Sequence, residues 1–380
     1  MSIQLRDVAA AFCIGIASGL AGGGLALLLR FVQHKSYAYD SGSFLYGVEQ
    51  ATPEHRIITM FICSLLAGVG WWLFKRFRLI DILLQIVTVG MGSPLGREKA
   101  PRELGLLFSE ILTKRFDIEA EKASFLHSCA AGAALAAVYN IPLSGALFSI
   151  EAIHKKWKIS YLLVAVLLSV IAVHVSYLLL GDEPAYRFPS VSLSASLMGF
   201  ALVFSPIVFQ LGKLFAKASD WCSQNARDDW KTVPLCLLFF TLLGGLSTYY
   251  PSVLGNGKSP AELEFDSHIG FFYSLGLVLL RVLAPLSASY AGAQGGNLTP
   301  AFANGALFGG ILGSAWLHLW PGSSIHAFAL VCACGFLAAS QNLPLTALVM
   351  ALEFTDTRLE MLFPLAIVTL SVPLSRQYLR

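Results

Sequence analysis

The sequence predicts an all-α integral membrane protein, built as an inverted-topology repeat of broken and tilted helices. Three observations carry that expectation. The 380-residue chain is 56% hydrophobic and only 13% charged, where soluble domains carry about 25% charged residues. Several apolar runs are broken by glycine, proline and charge into pieces too short for a bilayer core of roughly 30 Å, which takes about 20 helical residues. Finally, the pattern N-x-P-L-[ST], followed after six intervening residues by Glu, occurs as Asn140 to Glu151 and again as Asn342 to Glu353, 202 positions on. Leu-Ala-Ala precedes both copies, at 135–137 and 337–339. We divide the chain accordingly into a first inverted repeat, 1–188, and a second, 189–380, with no room for a soluble regulatory domain before Arg6 or after Arg376.

Taken in order, Val8–Val32 is the first span, too long for the apolar core of a signal peptide. Its Gly15, Gly19 and Gly22–Gly24 suit close helix contact. His34–Arg56 reads as a mixed loop and Ile57–Phe74 as the second span. The basic cluster Lys75, Arg76 and Arg78 that follows is cytoplasmic by the positive-inside rule, and so is the N-terminus. Leu79–Val89 leads to the broken stretch Gly90–Glu103, and an apolar half-helix runs on to Leu112. Ser124–Val138 and Pro142–Ile153 are short helices around Asn140; Lys155, Lys156 and Lys158 return the chain to the cytoplasm. Ile159–Leu180 spans outward to Gly181–Glu183, Leu193–Phe215 goes in, and Lys217–Lys231 is a cytoplasmic segment. Val233–Tyr250 comes out, Tyr250–Asp266 is a loop, and Gly270–Ser289 is apolar. A second break, Ala291–Pro300, opens a helix to about Leu319; Ala327–Ala339, Pro344–Glu353 and Met361–Leu374 complete the chain, and Arg376 and Arg380 leave the C-terminus inside. Trp71, Trp72 and Trp157 read as interfacial anchors.

Composition also excludes. A formal net charge of +3 gives no reason to invoke nucleic acid. The seven cysteines lie mostly in apolar runs and form no CxxC, so they read as small buried hydrophobes, and no cofactor is implied. His127, His174, His318 and His326 have no partner at metal or triad spacing, and there is no HExxH, which argues against an intramembrane enzyme.

The chemistry sits at the breaks. Four short helices begin at a proline, Pro101, Pro142, Pro300 and Pro344, which suits the first helical turn. Each start presents unpaired N–H groups and a partial positive charge. In mid-membrane such an end needs an acceptor, and a dehydrated anion provides one. Glycines at 90, 92, 96, 292, 295 and 296 let bare backbone approach an ion, and Arg97 and Lys99 add attraction. Glu98, an ionisable residue at membrane depth, is the candidate working residue; its carboxylate would compete with the anion for one set of donors. Asn140 and Asn342 are expected to cap their own helices, and Glu151 and Glu353 to pair with Lys155 or Arg358.

Here the sequence resembles a known family. Leu95-Gly-Arg-Glu98 resembles the G-[RK]-E-G-P motif of the CLC chloride channels and chloride/proton antiporters, and Gly296-Asn-Leu-Thr-Pro300 resembles their G-x-F-x-P motif. The two Asn-x-Pro-Leu helices look like those of the same family, and the match covers nearly the whole chain in order. The resemblance implies a homodimer with one anion path per subunit, Glu98 as the gating glutamate and the amides around Asn297 and Leu298 as the anion's seat, with Gly96 and Gly296 beside it. It implies transport of chloride or a similar small anion, with protons as a further partner. The setting would be the lipid bilayer of a cell inner (plasma) membrane, crossed many times, with both termini cytoplasmic. A fluoride-preferring relative and a non-conducting scaffold are the alternatives. The departures are specific. Lys99 and Ala100 stand where the family has Gly-Pro, and Leu298 replaces its phenylalanine. No G-S-G-I-P occurs in the first half, so the helix bearing it reads as deleted, with Ser93 as a replacement hydroxyl and Gly255–Pro260 as a second-half relic of a similar turn. The last helix with its anion-binding tyrosine reads as missing, Tyr378 lying too near the end. Ala152 occupies the place of the antiporters' second glutamate, so proton coupling is expected to be weak or absent.

Overall fold

The computed structural model describes residues 4–266 and 269–370. Among them lie sixteen α-helices and no β-strand. The first half contains α1 (Leu5–Tyr37), α2 (Phe44–Gln50), α3 (Pro53–Phe74), α4 (Arg78–Gly90), α5 (Lys99–Arg115), α6 (Ala120–Tyr139), α7 (Pro142–Phe148) and α8 (Ile159–Leu180). The second contains α9 (Ala195–Gln224), α10 (Thr232–Leu246), α11 (Lys258–Asp266), α12 (Phe271–Tyr290), α13 (Leu298–Leu319), α14 (Ile325–Gln341), α15 (Pro344–Thr355) and α16 (Leu362–Leu370). Five of them, α1, α3, α8, α9 and α12, are long and apolar enough to cross a membrane.

The halves run in parallel. In both, the long first helix packs on the same later partners: α1 on α6 and α8, α9 on α14 and α16. In both, the helix after the break lies on the next one, α5 on α6 and α13 on α14. Contacts between halves join equivalent elements, α3 with α10 and α7 with α15. In this order α11 has no first-half counterpart, because only residues 75–77 separate α3 from α4. That is where the sequence reads as having lost a helix.

Small residues allow the close packing. A Cβ on Gly19 would lie 2.6 Å from the Ala172 carbonyl oxygen, and one on Gly22 2.6 Å from that of Ala134. Thus α1 wedges between α8 and α6 by backbone approach, where packing has to replace a hydrophobic drive between helices. Gly305 and Gly309 do the same for α13 against α14. Gly24, by contrast, faces open space.

Several expectations change. The stretch 34–56 is not a loop: α1 continues to Tyr37 and α2 fills much of the rest. The Ser43 and Thr52 side chains accept from Tyr46 N–H and His55 N–H, starting α2 and α3. Buried Arg56 then ties the connection down by donating to the carbonyls of Glu49, Ala51 and Ser247. The cytoplasmic segment expected from Lys217 is helical to Gln224, and the 250–266 loop contains α11. Trp71 is no interfacial anchor; it is 1% exposed, and its Nε1–H donates to Asp81 Oδ1 at 2.8 Å. The expected cytoplasmic Arg376 and Arg380, Tyr378 and the end of the last apolar run lie outside the described residues.

Candidate functional site

The two breaks meet. Gly96 and Gly296 form an isolated antiparallel bridge, Gly96 N–H donating to Gly296 O at 2.7 Å and Gly296 N–H to Gly96 O at 2.8 Å. A second tie runs from Gly255 N–H to Gly92 O at 2.9 Å. Gly92 and Gly292 both sit at positive φ, +116° and +100°, a conformation that only glycine adopts without strain. Their matching geometry lets each chain turn sharply before its helix.

Glu98 lies beyond the bridge, at the start of α5, and is fully buried. Its carboxylate does not cap α5. It reaches instead to the start of α13, where Oε1 accepts from Leu298 N–H at 2.5 Å and Oε2 from Thr299 Oγ1 at 3.2 Å. The glycines make this possible: a Cβ on Gly96 or Gly296 would collide with the carboxylate. Arg102 Nε donates to the Glu98 carbonyl oxygen at 3.0 Å. A buried carboxylate thus holds donors at a helix start, where an anion would be stabilised by the same N–H groups and the same dipole.

The other candidates are arranged around this seat. The Arg97 guanidinium lies 4.6 Å from the Tyr139 ring centre, and Nε makes no hydrogen bond. Asn297 turns its amide away, donating to Ser219 Oγ at 2.7 Å. Lys99 departs from the expected role. Its ammonium donates to Gln294 Oε1 at 2.8 Å and lies 3.8 Å from Asp81 and 3.6 Å from Glu103. Two carboxylates therefore compensate its charge. Ser93 is buried and folded into its own turn, Oγ accepting from Leu95 N–H at 3.5 Å.

The Asn-x-Pro-Leu helices require a correction. Asn140 and Asn342 do not cap the helices they precede; both sit at positive φ, 58° and 56°, closing α6 and α14. The caps come from across the repeat. Glu353 accepts from Leu143 N–H at 2.9 Å, Ser144 N–H at 2.8 Å and Ser144 Oγ at 2.5 Å. Glu151 does the same for Leu345 N–H, Thr346 N–H and Thr346 Oγ1, at 3.2, 2.7 and 2.6 Å. Rather than only pairing with Lys155 or Arg358, the two carboxylates make this exchange, which satisfies helix-start N–H groups that would otherwise be orphaned. Glu151 itself lies in a π-helical segment, Ser149–His154.

Thr299, Gln294, Tyr139 and Asp81 at or beside the seat were not singled out in the sequence. Thr299 and Gln294 lie inside the second glycine-rich break, and Tyr139 abuts the Asn140 break, so position was the available signal. Among the described residues no group of three or more His, Cys, Asp or Glu side chains could hold a metal ion.

Comparison with known proteins bears on this arrangement. Residues 73–372 match the family model described as voltage gated chloride channel. The voltage-gated ClC-type chloride channel ClcB of Escherichia coli O9:H4 (strain HS) is 26% identical over 384 residues, covering 93% of this chain and 91% of its own. ClcB of Citrobacter koseri is 27% identical with the same coverage. Among solved structures, a slow cyanobacterial Cl⁻/H⁺ antiporter superposes with a TM-score of 0.84 at 18% identity, covering 100% of this chain and 96% of that one. A CLC-type fluoride/proton antiporter superposes at 0.73 and 17% identity, covering 99% and 98%.

Proposed function

The chain belongs to the voltage gated chloride channel family, and from that premise we propose that it carries chloride or a similar small anion across a membrane, with Glu98 as the gate of the path. The observation that carries the reading is the Glu98 carboxylate on Leu298 N–H and Thr299 Oγ1 at the start of α13. An anion entering there needs the same donors. The ionised carboxylate and the anion exclude one another; protonation weakens the carboxyl as an acceptor and frees the seat. Gly96 and Gly296 keep the approach bare, and the Leu298 amide is the principal anion ligand. Arg97 supplies positive charge beside the seat. Lys99, balanced by Asp81 and Glu103, fixes the first break to Gln294 of the second and contributes little net attraction.

The two halves act as inverted repeats whose breaks meet at the site, the arrangement of transporters that bind at a repeat interface. We assign a homodimer with one path per subunit, in a cell inner membrane, with the N-terminus cytoplasmic. ClcB relatives carry the name of chloride channels, while the superposing structures include chloride/proton and fluoride/proton antiporters. The test therefore measures all three ions. Purified protein in liposomes should release chloride down its gradient. Well-folded protein that releases neither chloride nor fluoride would overturn the reading.

A further inference from the structure

A charged cluster that the gate does not use lies beside Glu98. Lys99, the next residue, opens α5 and sends its ammonium toward α4, to 3.8 Å from Asp81 Oδ2 and 3.6 Å from Glu103 Oε1. Gln85 Nε2 donates to both carboxylates, to Asp81 Oδ2 at 2.9 Å and to Glu103 Oε2 at 3.3 Å, and Trp71 Nε1–H donates to Asp81 Oδ1. The hydrogen bond of the ammonium goes to Gln294 Oε1 of the second break, at 2.8 Å. Arg102, on the next turn of α5, is within electrostatic reach of Glu103. In the orientation assigned above the cluster lies on the cytoplasmic side. Asp81 is in the first turn of α4, just after Arg78 of the basic cluster, and Arg78 pairs with Glu110 of α5 at 2.9 Å. The side chains of Lys99, Asp81 and Glu103 remain 25%, 11% and 30% exposed. Charged groups at membrane depth face protein or water rather than lipid, so this exposed surface faces water. Lys99 also touches the second break, so that water lies between the seat and the cytoplasm. A bare ammonium there would hold each departing anion, and a path conducts only where every stop is weak enough to leave.

We propose that Asp81 is a release residue: its carboxylate, supported by that of Glu103, cancels the charge of Lys99, so that an anion leaving the α13 seat for the cytoplasm is not trapped. This rests on the reading of the chain as an anion transporter. Asp81 is not an anion ligand and acts only through Lys99. It is fixed for that role by Trp71 and Gln85, which hold one carboxylate oxygen each, at 2.8 and 2.9 Å.

The test is a charge series in the full chain, reconstituted into liposomes with chloride varied on the cytoplasmic face. Asp81→Asn keeps an acceptor for Trp71, and Gln85 can turn its unpaired Oε1 toward the new amide. The variant should lower the half-saturating chloride and the maximal flux together, each roughly fivefold, the order expected for one unit charge about 10 Å away in a partly hydrated space. Glu103→Gln should move both values the same way. Adding Lys99→Met to Asp81→Asn restores the charge balance and should bring both values back toward the wild type, although the tie to Gln294 is lost. Chloride titrated calorimetrically into detergent-solubilised Asp81→Asn should bind more tightly than to wild type by the same factor. An unchanged half-saturation in folded Asp81→Asn and Glu103→Gln would overturn the proposal. So would a fall in maximal flux alone, or a double variant as impaired as Asp81→Asn, since either would make the cluster a structural tie. Wild-type protein that passes neither chloride nor fluoride would instead overturn the transport reading, while the order of calorimetric affinities still decides the role of Asp81.

Discussion

At the scale of single residues, Glu98 carries the sharpest expectations. Its carboxylate sits on Leu298 N–H and Thr299 Oγ1, and on the proposed reading proton uptake and anion entry act on that one seat. Chloride flux should rise as pH falls, no more steeply than about tenfold per pH unit, the limit for one proton. Glu98→Gln should flatten that profile near the acid-side rate, and Glu98→Ala should leave a constant leak; flux from folded Glu98→Gln that keeps the wild-type pH profile would end the gating assignment. Gly296→Val tests the backbone side of the same seat. A Cβ there collides with the Glu98 carboxylate, so flux should fall to background in folded protein, whereas Leu298→Phe should be tolerated because the proposed ligand is the Leu298 amide. The position of Glu98, buried where the two glycine-rich breaks meet, was legible in the sequence because a charged, glycine-rich break in an apolar chain has few structural uses. The direction of Lys99 was not. Its compensation depends on Asp81, which is distant in sequence, and on Gln294, which belongs to the other half.

At the scale of helices, the exchanged caps of α7 and α15 are the feature that sequence reading missed. Asn140 and Asn342 looked like caps because asparagine before proline is a good N-terminal signal. The same residue also accepts the left-handed conformation that closes a helix, and here it closes α6 and α14. The helix starts were left to Glu353 and Glu151, about 210 and 194 positions from the amides they receive. No local pattern encodes such a partner, although the repeated spacing that ends in Glu did mark both carboxylates. Each carboxylate accepts two amides and a hydroxyl, so Glu353→Ala or Glu151→Ala should destabilise by about 2 kcal/mol. Lys155→Ala and Arg358→Ala should change little. Thermal unfolding in detergent distinguishes them; Glu353→Ala protein that melts with the wild type would return these residues to surface ion pairing.

At the scale of the whole molecule, the proposed repeat bears on whether the chain couples anion movement to protons. Helix order, the paired breaks and the short link between α3 and α4 were all readable, because an offset near 200 positions recurs in motif after motif and few residues separate the two apolar runs there. What the contacts add is that symmetry has committed Glu151. It stands beside Ala152, where antiporters of the resembling family have a second glutamate, and it is the nearest carboxylate that could replace it. Yet its oxygens hold Leu345 N–H, Thr346 N–H and Thr346 Oγ1 at 3.2, 2.7 and 2.6 Å. A proton could be carried there only by weakening the cap of α15, and Ala152 can carry none. Uphill proton movement should therefore be weak or absent. With a chloride gradient imposed across proteoliposomes and internal pH recorded, the expected trace shows chloride leaving without sustained proton uptake. Pumping lost in folded Glu151→Gln would mean that the cap doubles as a proton carrier. Pumping that survives the substitution would place the proton route elsewhere and overturn both accounts of this position.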